Sequence, residues 1–313
     1  MPELPEVETI ARGVDQAVRG DRIVKARFSS LPQPFKTPPK QQAAGLVGRR
    51  ILQVHRIGKH LVCELGACQS RAALPARPQP QTAARPISKR ATKSDRTAST
   101  TDEIPCAQWV VHLGMTGRLL VGVRGGLGVG RSPVAPHTHA TLTLDSGREL
   151  RFVDPRRFGR LEFRDLQTDP TFIAPGREPL EIQPDEFWRL FRDRQLSIKA
   201  ALLNQSLLAG VGNIYADESL FQAGIRPSQR AGRLSRTRLE RLRVALQFVL
   251  EHSIELGGSS VSDYVNADGQ KGFYQLEHRV YRRTGQPCTV CGSQILRTEL
   301  AGRGTHYCPR CQT

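Results

Sequence analysis

Apolar residues recur along this chain in two rhythms, one suited to strands and one to helices. Val7, Ile10 and Val14 fall at helical spacing behind an acidic start, MPELPEVET, where Pro2 suits a first helical turn. Glu3, Glu6 and Glu8 then favour the positive end of the helix dipole. Arg22 to Phe28, Arg50 to His55 and His60 to Leu65 alternate or cluster apolar residues between turn signals, and so predict strands. From Ala67 the pattern dissolves into a Pro-, Ala-, Ser-, Thr- and Arg-rich stretch, which predicts a disordered insertion over residues 67–108. Strands resume at WVVHLGM, ATLTLDS and ELRFVD, with DSG as a turn. A Gly-rich segment near residues 122–136 precedes ATLTL, its glycines too irregular for a phosphate loop.

Beyond Pro184 the spacing becomes helical. DEFWRLFRD, LSIKAALLNQ, NIYADESLFQAG and SRTRLERLRVALQFVLEHSIEL carry apolar faces, with Asp185, Asn213 and Ser235 as expected N-caps. The halves should meet between residues 165 and 183.

Composition narrows the partners. A chain of 313 residues that is 38% hydrophobic can bury two ordinary cores. No run approaches the length of a membrane span, and the acidic start is unlike a signal peptide, so a cytoplasmic protein is expected. Forty-six Lys and Arg against twenty-nine Asp and Glu give a net charge of +17, which points to a polyanion. No basic amphipathic helix with a bulky apolar face stands out, so nucleic acid ranks above a membrane surface.

Four of the seven cysteines, Cys288, Cys291, Cys308 and Cys311, form a C-x2-C-x16-C-x2-C array. Four thiolates at that spacing close a tetrahedral shell around Zn2+ and leave no open position, so the expected site is structural. Cys63 lies in an apolar run and reads as a small core residue. Between the cysteine pairs, ILRTELAGRGTHYC predicts a hairpin presenting Arg303, as a solvated charge or a phosphate contact. In LLAGVGNIYADESLF, Asn213 opens a helix whose free N–H groups suit a phosphate or merely an ordinary cap. Lys199, fourteen residues earlier, is a second phosphate candidate or a solvated lysine. In HLGMTGRL and DPRRFGR, Met115, Arg156 and Phe158 suit either a core and strand edge or insertion into a duplex at a vacated base.

Together, MPELPEVET, RIGKHLV, HLGMTG, DPRRFGR, GVGNIYADESLFQAGI and the cysteine array with AGRGTHYC resemble the formamidopyrimidine-DNA glycosylase family of bacterial base-excision repair. The match covers most of the chain. It implies an α+β multidomain fold: an N-terminal β-sandwich with a catalytic N-terminal helix over residues 1–165, a helix-two-turn-helix domain over 183–265, a flexible lesion-recognition region over 266–283, and a zinc-ribbon-like finger over 284–313. The implied activity is excision of oxidised purines from duplex DNA with strand cleavage by a monomer, without an organic cofactor.

By the same resemblance, removal of Met1 frees Pro2 as the nucleophile, a secondary amine of pKa about 8. Glu3 is the general acid/base, and Glu6 supports its pocket. Lys59 is the proton donor for β-elimination, and Arg303 stands at the δ-elimination position, better described as a phosphate clamp. His137, Arg156 and Arg194 fall where the family contacts DNA, with lysine at the Arg194 position in familiar relatives. Met115 and Phe158 fill the gap left by the flipped base, and Arg156 faces its former partner. Two readings compete: an endonuclease VIII type acting on oxidised pyrimidines, which Leu4 and the Met115, Arg156, Phe158 set disfavour, and a non-catalytic zinc-containing DNA-binding protein, which would not need a terminal secondary amine.

Overall fold

The computed structural model describes residues 1–30, 34–68, 103–123, 136–260 and 270–313. Its first helix, α1 (Leu4–Val18), takes Glu3 as N-cap, and the proline in its first turn is Pro5. Pro2 therefore stands ahead of the helix and has no part in starting it, contrary to the expectation above.

Eight strands follow: β1 (Ile23–Phe28), β2 (Ile51–Ile57), β3 (His60–Leu65), β4 (Ala107–His112), β5 (Arg118–Val123), β6 (Thr138–Leu144), β7 (Arg148–Val153) and β8 (Arg160–Asp165), with a short α2 (Pro39–Leu46) between β1 and β2. They form two four-stranded sheets, β1-β6-β7-β5 and β2-β3-β4-β8. Every neighbouring pair is antiparallel. Ile23, Leu61, Trp109, Phe152 and Leu161 fill the core between them, and Val7, Ile10, Val14 and Val18 of α1 join it. Cys63 is buried there too, its thiol pushed up to about 12 by burial.

The expected insertion is shorter at its end than the composition suggests. Residues 69–102 lie outside those described, but β4 begins at Ala107, which pairs with Leu65. Of the Gly-rich segment, Gly122 and Val123 end β5, and 124–135 lie outside.

Four helices build the second half: α3 (Pro184–Phe191), α4 (Ile198–Leu203), α5 (Asn213–Gln222) and α6 (Arg236–Glu255). Phe187, Phe191, Leu202, Tyr215, Leu220 and Leu246 share its core. Ser235 caps α6 as expected, its hydroxyl accepting from Arg238 N. The other two expected caps are displaced: Gln183 precedes α3, with Asp185 inside the first turn, and Gly212 precedes α5. From Ile214 to Phe221, α5 is wholly buried, so its polar side chains face partners rather than water.

A hairpin of β9 (Leu296–Leu300) and β10 (Arg303–Tyr307) carries the cysteines. Of the expected lesion-recognition region, 266–269 lie outside the described residues. Most of the remainder is anchored: Tyr274 and Val280 are buried, and the Glu218 carboxylate of α5 accepts from the backbone N–H groups of Arg279, Val280 and Tyr281 at 2.9, 3.0 and 2.8 Å.

Candidate active site and nucleic-acid interface

The first turn of α1 belongs to both halves. Leu4 lies in the helical core while Val7 lies in the sandwich core, and Leu4 N donates to Gly210 O at 3.1 Å. Arg56, only 5% exposed, reinforces that junction by pairing Glu8 of α1 with Glu178 of the connecting segment, each at 2.9 Å. The chain's start is thereby held where the two halves meet.

Glu3 sits in this junction at 6% exposure. Its Oε1 accepts from Ile214 N at 3.2 Å, in the first turn of α5. A Cβ on Gly212 would lie 2.1 Å from the Glu3 carboxyl carbon, so the glycine at this cap makes room for the carboxylate. The free N–H end, read from the sequence as a phosphate site or an ordinary cap, is thus occupied in part by a carboxylate of the chain itself. Burial lifts the Glu3 carboxyl to about 7, against the opposing charge of Lys59.

Lys59, in the β2–β3 turn, donates from Nζ to Val211 O at 3.0 Å. Burial lowers its pKa, Glu3 raises it, and the charge of Arg303 lowers it further. A carboxyl lifted to about 7 can give and take a proton at physiological pH, and Lys59 carries its charge close by. Glu6 lies behind them: its Oε2 accepts from Glu3 N at 2.7 Å, and its Oε1 from Ser259 N at 2.8 Å and from the Tyr215 hydroxyl. Pro2 is half-buried at the mouth, preceded by an exposed Met1.

A second group sits at one end of the sandwich. Met115 and Phe158 are 42% and 49% exposed, and the Arg156 guanidinium lies 4.8 Å from the Phe158 ring centroid. Bulky side chains exposed beside an arginine offer flat faces on which a base can stack. Asp154, which the sequence gives no reason to select, holds their loops together. Its buried carboxylate accepts from Thr116 Oγ1 at 2.6 Å and from Gly159 N at 2.8 Å, while its backbone N donates to His137 O at 3.0 Å. His137 is exposed in a left-handed conformation, φ 68°. Arg194 is exposed after α3, its Nε donating to Leu190 O at 3.1 Å. It belongs to the helical half.

Two candidates point inward instead. Lys199 is fully buried, paired with Asp217 at 2.6 Å, and donates to Gly304 O at 3.0 Å and Thr305 Oγ1 at 2.9 Å. It is neither a solvated lysine nor exposed to a phosphate. Asn213 likewise turns its side-chain amide to Gly304 O at 3.0 Å. Asp217 also accepts from His306 N at 2.9 Å. Together they fasten β10 to the helical half and leave the preceding Arg303 exposed at the hairpin turn, within electrostatic reach of Lys59.

The cysteine array fits a metal. The four sulfurs lie within 4.8 Å of one another, with Cys288–Cys311 at 3.9 Å and Cys291–Cys308 at 3.4 Å. Tetrahedral zinc with bonds of about 2.3 Å needs sulfurs about 3.8 Å apart. Val290 N and Cys311 N, each 3.4 Å from a cysteine sulfur, suit thiolate acceptors.

A sandwich and a helical half meeting at a buried carboxylate, with a four-cysteine hairpin fastened alongside, define a zinc-containing helix-two-turn-helix protein. Residues 1–161 match the formamidopyrimidine-DNA glycosylase N-terminal domain, 174–265 the H2TH domain of the same enzymes, and 285–313 the zinc finger found in these proteins and in isoleucyl-tRNA synthetase. The chain belongs to the formamidopyrimidine-DNA glycosylase family. It is 39% identical to the formamidopyrimidine-DNA glycosylase of Solibacter usitatus over 100% of this chain and 99% of that protein. The crystal structure of the Thermus thermophilus MutM (Fpg) protein is 36% identical, with a TM-score of 0.75 over 99% of this chain and 98% of the other. The Lactococcus lactis protein, solved with Fapy-dG-containing DNA, is 30% identical, with a TM-score of 0.78 over 99% of this chain and 100% of the other. The four cysteines hold one structural zinc ion. Among the described residues, no helix is long and apolar enough to cross a membrane.

Proposed function

We propose that this chain is a bifunctional DNA glycosylase and abasic-site lyase that removes oxidised purines from duplex DNA, with Pro2 as nucleophile once Met1 is removed. The observation that carries it is the buried Glu3 carboxyl, lifted to about 7 beside Lys59 and directly after Pro2. Such a carboxyl can take the proton from a secondary amine and return it to the sugar. Attack of the Pro2 nitrogen on C1′ expels the base and leaves a cationic iminium. The iminium acidifies C2′, and loss of that proton breaks the C3′–O bond; a second elimination breaks the C5′–O bond.

Lys59 serves the first elimination as proton donor, a role supported by its position beside Glu3. Arg303 clamps the phosphate, supported by its exposure at the hairpin turn towards Lys59. Glu6 supports the same pocket. Met115 and Phe158 restack the hole left by the flipped base, whose extrusion costs roughly a few kcal/mol, and Arg156 faces the orphaned base. His137 and Arg194 contact the backbone. Asn213 and Lys199 act on DNA only through the hairpin they fasten. Zinc fixes the hairpin and takes no part in the chemistry. We place the protein in the cytoplasm at the nucleoid, acting as a monomer.

Borohydride trapping on a duplex holding 8-oxoguanine tests this. The Pro2-terminated protein should form a covalent adduct, and Pro2→Gly should lose base excision; absence of adduct where a known glycosylase traps would remove the reading. Faster release of thymine glycol than of 8-oxoguanine would favour the endonuclease VIII type instead.

A further inference from the structure

Glu6 is placed to align the site, and the structure shows what fixes Glu6. Its two oxygens bridge backbone amides from distant parts of the chain, Glu3 N beside the terminus and Ser259 N after α6, at 2.7 and 2.8 Å. The Tyr215 hydroxyl reaches the same oxygen as Ser259 N, and itself meets Ser253 Oγ at 2.7 Å. Glu3, Glu6, Tyr215, Ser253 and Ser259 are all buried, so these bonds are not shared with bulk water. With the Ser253 hydroxyl donating to the Tyr215 oxygen and the Tyr215 hydroxyl donating to Glu6, the chain of donors ends on a carboxylate.

We propose that Tyr215 is a positioning residue for base excision: its hydroxyl holds the Glu6 carboxyl in place, and Glu6 in turn sets the backbone at Glu3 and at Ser259. The inference rests on the glycosylase reading given above. A plain core role for Tyr215 would need only its ring, which packs 5.6 Å from that of Tyr274. The hydroxyl is what that role leaves unexplained. Burial raises the Glu6 carboxyl, and the Tyr215 hydrogen bond is the foremost opposing influence, ahead of the Ser259 and Glu3 amides. Among the described residues, the titratable groups facing Glu6 include Glu3 at the cap of its own helix, Lys59 on the β2–β3 turn, Tyr215 on α5 and Tyr274 beyond α6, while Ser253 of α6 does not titrate. Tyr215→Phe changes one of these groups and leaves the rest.

The test measures single-turnover release of 8-oxoguanine from a duplex between about pH 5.5 and 8.5, with rates expressed per site trapped by borohydride. For Tyr215→Phe we expect about a tenfold lower rate near pH 6 and an acidic limb moved up by about one pH unit, with DNA affinity within about twofold of wild type. Ser253→Ala should shift the limb in the same direction by less. A wild-type rate and profile per trapped site in Tyr215→Phe would overturn the proposal. Should that variant not fold, an unshifted limb in Ser253→Ala overturns it instead. Wild-type protein that neither traps nor releases base would remove the glycosylase reading itself, an outcome distinct from a change confined to the variants.

Discussion

At the scale of the residue, Glu3 is a carboxyl whose ionisation the fold opposes. Raising it from 4.5 to about 7 means that the folded chain binds that proton more tightly than the unfolded chain does. The associated stability is fully present below about pH 4.5 and is lost as pH rises through 7, on the order of 3 kcal/mol in all. Glu3→Gln, neutral at every pH, should therefore melt above wild type at pH 8 and match it near pH 4. Equal melting at both values in thermal denaturation would show that the carboxyl is not held this way. Removing Met1 brings the cationic terminus one residue closer, and that charge lowers the Glu3 value, so the gain should shrink in the Pro2-terminated chain. The same substitution should abolish base excision, so one side chain trades stability for chemistry.

At the scale of the element, α5 organises the second half through the buried faces of Tyr215, Asp217 and Glu218, which reach Glu6, the hairpin and the stretch leading to it. Lys199 completes the Asp217 contact. Breaking one side of a buried pair leaves an uncompensated charge, so Lys199→Met should cost about 3–5 kcal/mol, and adding Asp217→Leu should recover part of it, less the loss of the His306 N–H acceptor. Because Lys199 faces the hairpin, the double variant should also keep the wild-type slope of DNA affinity against salt; a slope lower by about one would mean that Lys199 meets a phosphate after all. Chain periodicity made α1, six of the eight sandwich strands and the helices of the second half legible, and spacing alone made the zinc ligands so; β5, β8 and α2 were not read from it. Pairings such as β1 with β6 and the partition into two sheets were not, since these join segments far apart in the chain. The same reason hid Asp154, Tyr215 and Asp217: a buried acid or tyrosine reads as an ordinary helix or turn residue until its distant partner is known. Lys199 misled for the converse reason, since a lysine in a basic chain reads as solvated.

At the scale of the molecule, two large cores and two small clusters divide the work. The hairpin's own apolar cluster amounts to Phe221, Val280 and Ile295 packed with the cysteines, which leaves the metal to hold it. Stripping zinc with a chelator should abolish DNA cleavage and restore it on zinc addition, while most far-UV circular dichroism persists, because the sandwich and helical cores need no metal; full unfolding on chelation would contradict that division. The first turn of α1 carries a further consequence, for the order of synthesis. Leu4 packs in a cluster that includes Tyr274, and Glu6 waits for Ser259. Leu4 and Glu6 are thus made long before Tyr274 and Ser259, the partners they find in the fold. A truncated chain that ended before α6 would therefore lack these partners of Leu4 and Glu6.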